Sequence, residues 1–409
     1  MARRLVERGH QVTMVCGDSA LTDAGTTSEP VQGIRRGTVD GIDVLQICVS
    51  YSNYDSLKKR TGAFLRYAWK AISIVRKEPH DVLFATSTPL TAAIPGVVMR
   101  LLKPRSKFIF EVRDLWPELP KAMGVIRNPA VLAGMSMLEK AAYWAMDGGI
   151  ALSPGIEAGM RKRSSADKPI AMIPNGCDLQ AFQPSAADAQ PIDALPAGFP
   201  THGLRCVFTG AHGMANGLGA VLDAARVLQQ RGRSDIHLVF IGDGKQKPQL
   251  VDRQQREQLT NCHFFDPLPK YQLSRILQQV DVGLMVLANV PAFYYGTSPN
   301  KFFDYIATGL PVLNNYHGWL SEMIQENACG ASVPPDNPVA FAEALIGMAD
   351  DPRRRQQMGI NARRLAETEF GPDQLADRWI AMLEQVQGAK PTASVALPAS
   401  HPAGSRRAA

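Results

Sequence analysis

The chain has 409 residues, 45% hydrophobic and 20% charged, a globular composition with room for about two or three domains. It has no apolar run of about 18 residues, no signal peptide and no CxxC pair among its six scattered cysteines, so membrane-spanning, secreted and CxxC metal or redox classes lose support. The net charge of +6 is uneven, because residues 58–77 carry seven basic residues and no acid.

In chain order, MARRLVERGHQVTMVC reads as a helix end running straight into a strand at 11–16. The basic window KKRTGAFLRYAWKAISIVRK (58–77) reads either as a solvated helix covering a sheet or as a surface helix for anionic lipid. Strand runs follow at DVLFATS (81–87), KFIFEV (107–112), GGIALS (148–153), LRCVFTG (204–210), IHLVFIG (236–242), VDVGLMVL (280–287) and LPVLNN (310–315). Most are separated by helical stretches. That alternation predicts an α/β protein of two doubly wound, Rossmann-like domains with parallel sheets.

The expected divisions are a first domain at 1–185, a Pro/Ala-rich linker at 186–203 and a second domain at 204–370. A helix at 371–387 is expected to pack back on the first domain, with a disordered tail at 388–409. Ligands of such domains gather beyond the carboxyl ends of the strands. Arg113 and Asp114 end the strand KFIFEV, either as site residues or as an ion pair bracing a turn. Ser87, Thr88 and Pro89 end another strand and can line an acceptor pocket.

The segment GTSPNKFFDYIATGLPVLNN (296–315) has one cation, Lys301, and one carboxylate, Asp304, a helical rise of about 4.5 Å apart. Ser298 suits an N-cap, Pro299 the first helical position and Gly309 the left-handed stop. A helix start with Lys301 beside it favours an anion, and Asp304 can accept from two sugar hydroxyls. A capped surface helix with an i,i+3 ion pair is the other reading.

PNGCDLQAF (174–182), FTGAHGMANGL (208–218), FIGDGKQKPQL (240–250), EVRDLWPELP (111–120) and SPNKFFDYIATGLPVLNN (298–315) together resemble glycosyltransferase family 4, the retaining group with the GT-B fold. Within it they resemble a bacterial fucosamine-transferase-like branch. The likeness runs from Met1 to about Val386. It implies that Asp304 holds the nucleotide ribose, where the family has the second of two glutamates. The first falls on Gly296, which binds only through backbone. The family's arginine and lysine after the strand-end glycine fall on Ala211 and Asn216. Substitutes for that diphosphate clamp are Lys301, His212, the amides of Gly213 and Gly217, and the helix start at Ser298 and Asn300. His212 is equally a turn histidine with no ligand. The resemblance also implies backbone recognition of the base near Leu268, and roles for Arg113 and Asp114 around donor sugar and acceptor.

The resulting expectation is a retaining, metal-independent transferase without cofactor, with Asp114, Arg113 and Lys301 in the chemistry. Its donor is a UDP-linked amino or deoxy sugar. Its acceptor is a lipid-linked saccharide of bacterial surface polysaccharide synthesis. A cytoplasmic location follows, peripheral to an anionic membrane through 58–77, with no nucleic-acid partner. The absence of any DxD triplet agrees with metal independence. A sugar-nucleotide epimerase and a degenerate non-catalytic scaffold are the alternatives, whereas a nicotinamide dehydrogenase lacks GxGxxG after any strand. The family places a strand and a glycine-rich turn before the opening helix. The first domain is therefore expected to lack its central strand, leaving the strands at 11–16 and 81–87 to flank an open position.

Overall fold

In the computed structural model the alternating strands and helices form two α/β units, residues 1–174 with 375–409, and residues 175–374. The structure describes residues 1–18, 24–50, 55–87, 89–183 and 195–388. Thr88, the first half of the expected linker and the expected tail beyond Gly388 lie outside them.

The first unit opens with α1 (Ala2–Glu7), β1 (Thr13–Gly17), β2 (Ile34–Val39), β3 (Ile42–Ile47), α2 (Leu57–Lys77) and β4 (Val82–Thr86). It continues through α3 (Ile94–Leu102), β5 (Lys107–Val112), α4 (Glu118–Ala122), α5 (Pro129–Ala145), β6 (Gly148–Ala151), α6 (Pro154–Arg163) and β7 (Ile170–Met172). Its described strands form two sheets, β1-β3-β2 and the parallel β4-β5-β6-β7. β1 and β4, the strands at 11–16 and 81–87 in the sequence reading, each occupy a sheet edge. The edge strand β1 has Thr13, Met14 and Gly17 exposed. β2 and β3 make an antiparallel hairpin, closed by Asp40 and Gly41 at positive φ as a two-residue turn of this kind requires.

α2 covers the smaller sheet, packing Ala71 and Ile74 on Leu45 and Ile47. The larger core joins Phe108 and Phe110 of β5 to Ala142, Tyr143 and Met146 from α5 and the residue after it. A last helix, α15 (Pro372–Gln387), adds Leu375, Trp379, Ile380, Met382 and Val386 to that core, with Trp379 edge-on to Phe84 at 5.0 Å.

The second unit has one six-stranded parallel sheet, in the order β10-β9-β8-β11-β12-β13. In sequence it runs β8 (Leu204–Thr209), α7 (Gly219–Gln230), β9 (Ile236–Ile241), α8 (Lys247–Arg256), β10 (Cys262–Phe265), α9 (Lys270–Leu277) and β11 (Val282–Met285). Then come α10 (Pro291–Gly296), α11 (Asn300–Thr308), β12 (Val312–Asn314), α12 (Trp319–Glu326), β13 (Gly330–Ser332), α13 (Pro338–Asp350) and α14 (Pro352–Glu369). Strand order reverses between β8 and β11, the kind of switch point that leaves a crevice beyond the strand ends. The loops after β8 and β9 meet there. A Cβ on Gly242 would stand 1.9 Å from the carbonyl oxygen of Gly210, so no side chain fits at that position, whose φ is +150°.

Candidate functional site

α11 supplies the centre of the site. Phe302, Phe303, Tyr305, Ile306 and Ala307 are fully buried, which fixes the helix on nearly all sides. Tyr305 sets its height: the phenol oxygen accepts from the Thr209 amide at 2.9 Å and lies 3.1 Å from the Thr209 hydroxyl, at the end of β8. Gly309, at φ +78°, ends the helix as expected.

The helix start differs from the expectation. Pro299, not Ser298, is the N-cap residue, and no side chain caps the helix. The Ser298 hydroxyl accepts instead from the Asn175 amide at 3.1 Å, and the Asn175 side-chain amide donates to the Ser298 carbonyl. PNGCD and SPNK thus serve as one brace, since the Cys177 thiol also donates to the Phe303 carbonyl at 3.3 Å. Asn300 is exposed at the first turn.

Lys301 and Asp304 do not pair with each other. The Lys301 ammonium donates to the Asn216 side-chain oxygen at 2.8 Å and sits 3.9 Å from the centre of the Phe208 ring. Asn216 is oriented by donating to the Ala211 carbonyl at 2.7 Å. Desolvation lowers the Lys301 pKa to about 7, and no counter-charge offsets it. Burial also raises Asp304 to about 6, partly opposed by Lys270, which is itself bonded to Asp178 at 2.6 Å. A poorly compensated cation therefore lies one turn before a carboxylate that gives up its proton only near neutrality.

Around them, Gly213 opens a short turn with free space where a side chain would stand. Gly217 is left-handed at φ +56° and packs so closely on Ala288 that a Cβ would lie 2.7 Å from its Cα. Gly296 ends α10, buried yet with nothing within 4 Å of a built Cβ. Leu268 is half-buried in the β10–α9 loop.

His212 does not join this set. Its ring is fully buried, stacked on Phe208 at 6.0 Å and edge-on to Phe240 and Phe264. Both ring nitrogens lack a hydrogen-bond partner, and burial, reinforced by Lys247, pushes its pKa down to about 4. A histidine held neutral among three phenylalanines is a core residue, so the expected phosphate contact is corrected to packing.

In the first unit, Arg113 and Asp114 follow β5. Arg113 forms an ion pair with Glu111, at 3.2 Å, and Glu111 also accepts from Thr86 at 2.8 Å. The Arg113 backbone amide donates to the Ser87 hydroxyl at 2.9 Å. Burial raises the Asp114 pKa, partly offset by the Arg113 charge. The sequence reading missed Glu111 and Tyr305. Glu111 precedes Arg113 by two positions in the quoted EVRD, a signal that was available.

Tyr305 has a testable structural weight. Tyr305→Phe strips the acceptor from a buried amide, so unfolding of the second unit should lose about 1–3 kcal/mol. The expected reading is a lower denaturant midpoint, and an unchanged midpoint rejects the brace.

Residues 1–176 match the family model described as glycosyl transferase 4-like domain, and residues 203–351 match glycosyl transferases group 1. The amylovoran biosynthesis glycosyltransferase AmsK of Erwinia amylovora is 26% identical over 155 residues, 38% of this chain and 38% of that protein. The alignment thus spans well under half of that relative. Among solved structures, sucrose-phosphate synthase from Thermosynechococcus elongatus superposes with a TM-score of 0.71 at 18% identity, covering 95% of this chain and 92% of that one. Anabaena HepE in complex with UDP superposes with a TM-score of 0.60 at 15% identity, covering 84% and 86%. With residues 1–176 and 203–351 each matched by a glycosyltransferase model, the chain belongs to the glycosyltransferases, and the superpositions show that it has the GT-B fold.

Proposed function

We propose that the chain transfers a sugar from a UDP-linked donor to a lipid-linked saccharide in bacterial surface polysaccharide synthesis, with retention and without a metal. The observation that carries the reading is Lys301, a desolvated cation held by Asn216 one turn before Asp304 at the sheet's switch point. A diphosphate on Lys301 and the open start of α11 sets a ribose near Asp304. The match to HepE, whose solved complex contains UDP, supports a uridine diphosphate, and AmsK supports the biosynthetic setting. The fucosamine-transferase-like motifs favour an amino or deoxy sugar.

In this mechanism the bond from the anomeric carbon to the diphosphate breaks and negative charge grows on the leaving oxygen. Lys301 and the amide of Gly213 meet that charge, which is why no metal is invoked, whereas the Gly217 amide is turned to the Met214 carbonyl at 3.3 Å. The acceptor hydroxyl attacks from the same face and loses its proton to Asp114, whose raised pKa suits a base. Arg113 steadies that region through Glu111. The enzyme works on the cytoplasmic side, peripheral to the membrane that holds its acceptor.

The test is release of free UDP from a panel of UDP-sugars, with and without a lipid-linked saccharide acceptor. Acceptor-dependent release supports the transferase. Interconversion of the sugar without acceptor favours an epimerase, and neither activity with any donor rejects the reading.

The two shifted groups also predict a pH window. Lys301, lowered to about 7, is charged in the free protein only below that pH, whereas Asp304, raised to about 6, is charged only above that pH. Affinity for a UDP-sugar, which lacks a terminal phosphate group, should therefore peak between these values. It should fall by up to about tenfold per pH unit on either side. A profile that stays flat from well below pH 6 to well above pH 7 contradicts the assignment of both groups.

A further inference from the structure

Asp114, the base assigned on the acceptor side, lies in the stretch between β5 and α4, and two positions of α6 hold that stretch. A Cβ on Gly159 would stand 2.8 Å from both terminal carbons of Leu115, so the Leu115 side chain lies directly on the backbone of α6. Arg163 ends α6 four positions further along the same helical face, and it donates to a Glu118 side-chain oxygen at the start of α4. The other Glu118 oxygen is buried and has no hydrogen-bond partner among the described residues. On the opposite side the Arg113 amide is tied to the Ser87 hydroxyl at 2.9 Å. Asp114, half-buried, therefore stands between anchored neighbours.

α6 is a firm base for this hold. Its Ile156 and Met160 are fully buried, and the buried Ser153 hydroxyl caps its start by accepting from the Ile156 amide at 3.4 Å.

Arg163 is itself fixed from behind. Its guanidinium also donates to Glu139 of α5, which is 1% exposed and accepts from the Tyr143 hydroxyl at 3.1 Å. Burial raises the Glu139 pKa, and the Arg163 charge opposes that rise. A carboxylate buried this deeply gains little net stability from its cation, because desolvation offsets the attraction. Apolar side chains of similar size often replace such a pair without loss. What the pair supplies is direction: a planar guanidinium held by Glu139 presents its remaining donors at one angle, toward Glu118.

We propose that Arg163, fixed by Glu139, is a positioning residue for sugar transfer, holding the stretch 114–118 through Glu118 so that the Asp114 carboxylate faces the acceptor hydroxyl. The inference rests on the reading of Asp114 as the base, and it assigns no contact with substrate to Arg163, Glu118 or Glu139. Burial is the main cause of the raised Asp114 pKa, and the charge that acts on it directly is that of Arg113, which remains paired with Glu111 when the clamp is cut. Opening the clamp admits water to Asp114, so its pKa falls back toward that of an ordinary carboxyl.

The experiment follows kcat/KM for the lipid-linked saccharide acceptor against pH in the full chain, with melting curves and UDP affinity measured beside it. E118A cuts the clamp at the stretch, on a partly exposed side chain. E139L/Y143F/R163M replaces the buried network by apolar groups, and E118A decides alone if the triple variant does not fold. Both should melt and bind UDP like the parent, yet lose about 10- to 100-fold in kcat through misplacement of the base. The acid limb of their pH profiles should move to lower pH, the shift that a loss of packing alone does not produce. R163K should recover only part of the rate, since one ammonium does not bridge two carboxylates as a guanidinium does. Parental kcat with a parental acid limb in E118A overturns the inference. So does a loss of rate that only tracks lost folded protein, with the limb unmoved. An inactive D114N beside clamp variants of parental rate and limb overturns the positioning role and leaves the base standing. Full activity in D114N removes the base and the inference together.

Discussion

Lys301→Met should lower sugar transfer by about 10²–10³-fold while weakening UDP-sugar binding far less. The ammonium is already desolvated and already oriented, by Asn216 at 2.8 Å and by the Phe208 ring. Little reorganisation is therefore needed when charge grows on the leaving diphosphate. Since that charge is larger in the transition state than in the bound donor, the loss should appear in kcat more than in KM. Methionine keeps most of the side chain's length and apolar body, so packing on Phe208 survives. Arginine is a harsher test than it looks, because its planar fork does not fit a site built for one point charge. A variant with unchanged kcat removes Lys301 from the chemistry.

Asp304→Ala should weaken UDP itself by about 1–3 kcal/mol, roughly 5- to 150-fold, through lost charged hydrogen bonds to the ribose. The effect belongs to the ground state and should show in titrations of UDP without any sugar. Asp304→Asn separates charge from shape, since it retains an acceptor and cannot titrate. Its affinity for a UDP-sugar should lose the acid limb near pH 6 that the parent's carboxylate imposes. Unchanged UDP affinity in a folded Asp304→Ala variant would sink the ribose assignment.

These residues were partly legible in the sequence. The main strands were readable because each is a short β-rich run between helical stretches: KFIFEV coincides with β5, and LRCVFTG and IHLVFIG contain β8 and β9. The hairpin β2–β3 was missed, although Asp40-Gly41 is a strong turn signal. Its antiparallel pairing breaks the strand–helix alternation on which the reading relied. β7, β10 and β13 were missed for a different reason: each is three or four residues, and unlike the equally short β6, β11 and β12 none was read within a longer apolar run.

At the site, spacing on one helix was readable and contacts across the chain were not. Lys301 and Asp304 could be placed a turn apart from sequence. The hold of Asn216 on Lys301 joins residues 85 positions apart. Ser298 looked like a cap because its type and position suit one, yet the Asn175 amide occupies its hydroxyl. His212 looked available because it sits in a glycine turn. The surrounding phenylalanines come from three separate strands, β8, β9 and β10, and only the folded sheet brings them together.

The most direct test of a UDP-sugar site on α11 is a calorimetric titration of UDP into the chain and into the Lys301→Met/Asp304→Ala double variant, at a pH between about 6 and 7 where the parent's Asp304 and Lys301 both carry charge. The account predicts a single site in the parent and, in a double variant that melts like the parent, binding weaker by at least the roughly 5- to 150-fold expected of Asp304→Ala alone. Equal affinity in the two proteins, or a parent that does not bind UDP, would contradict it.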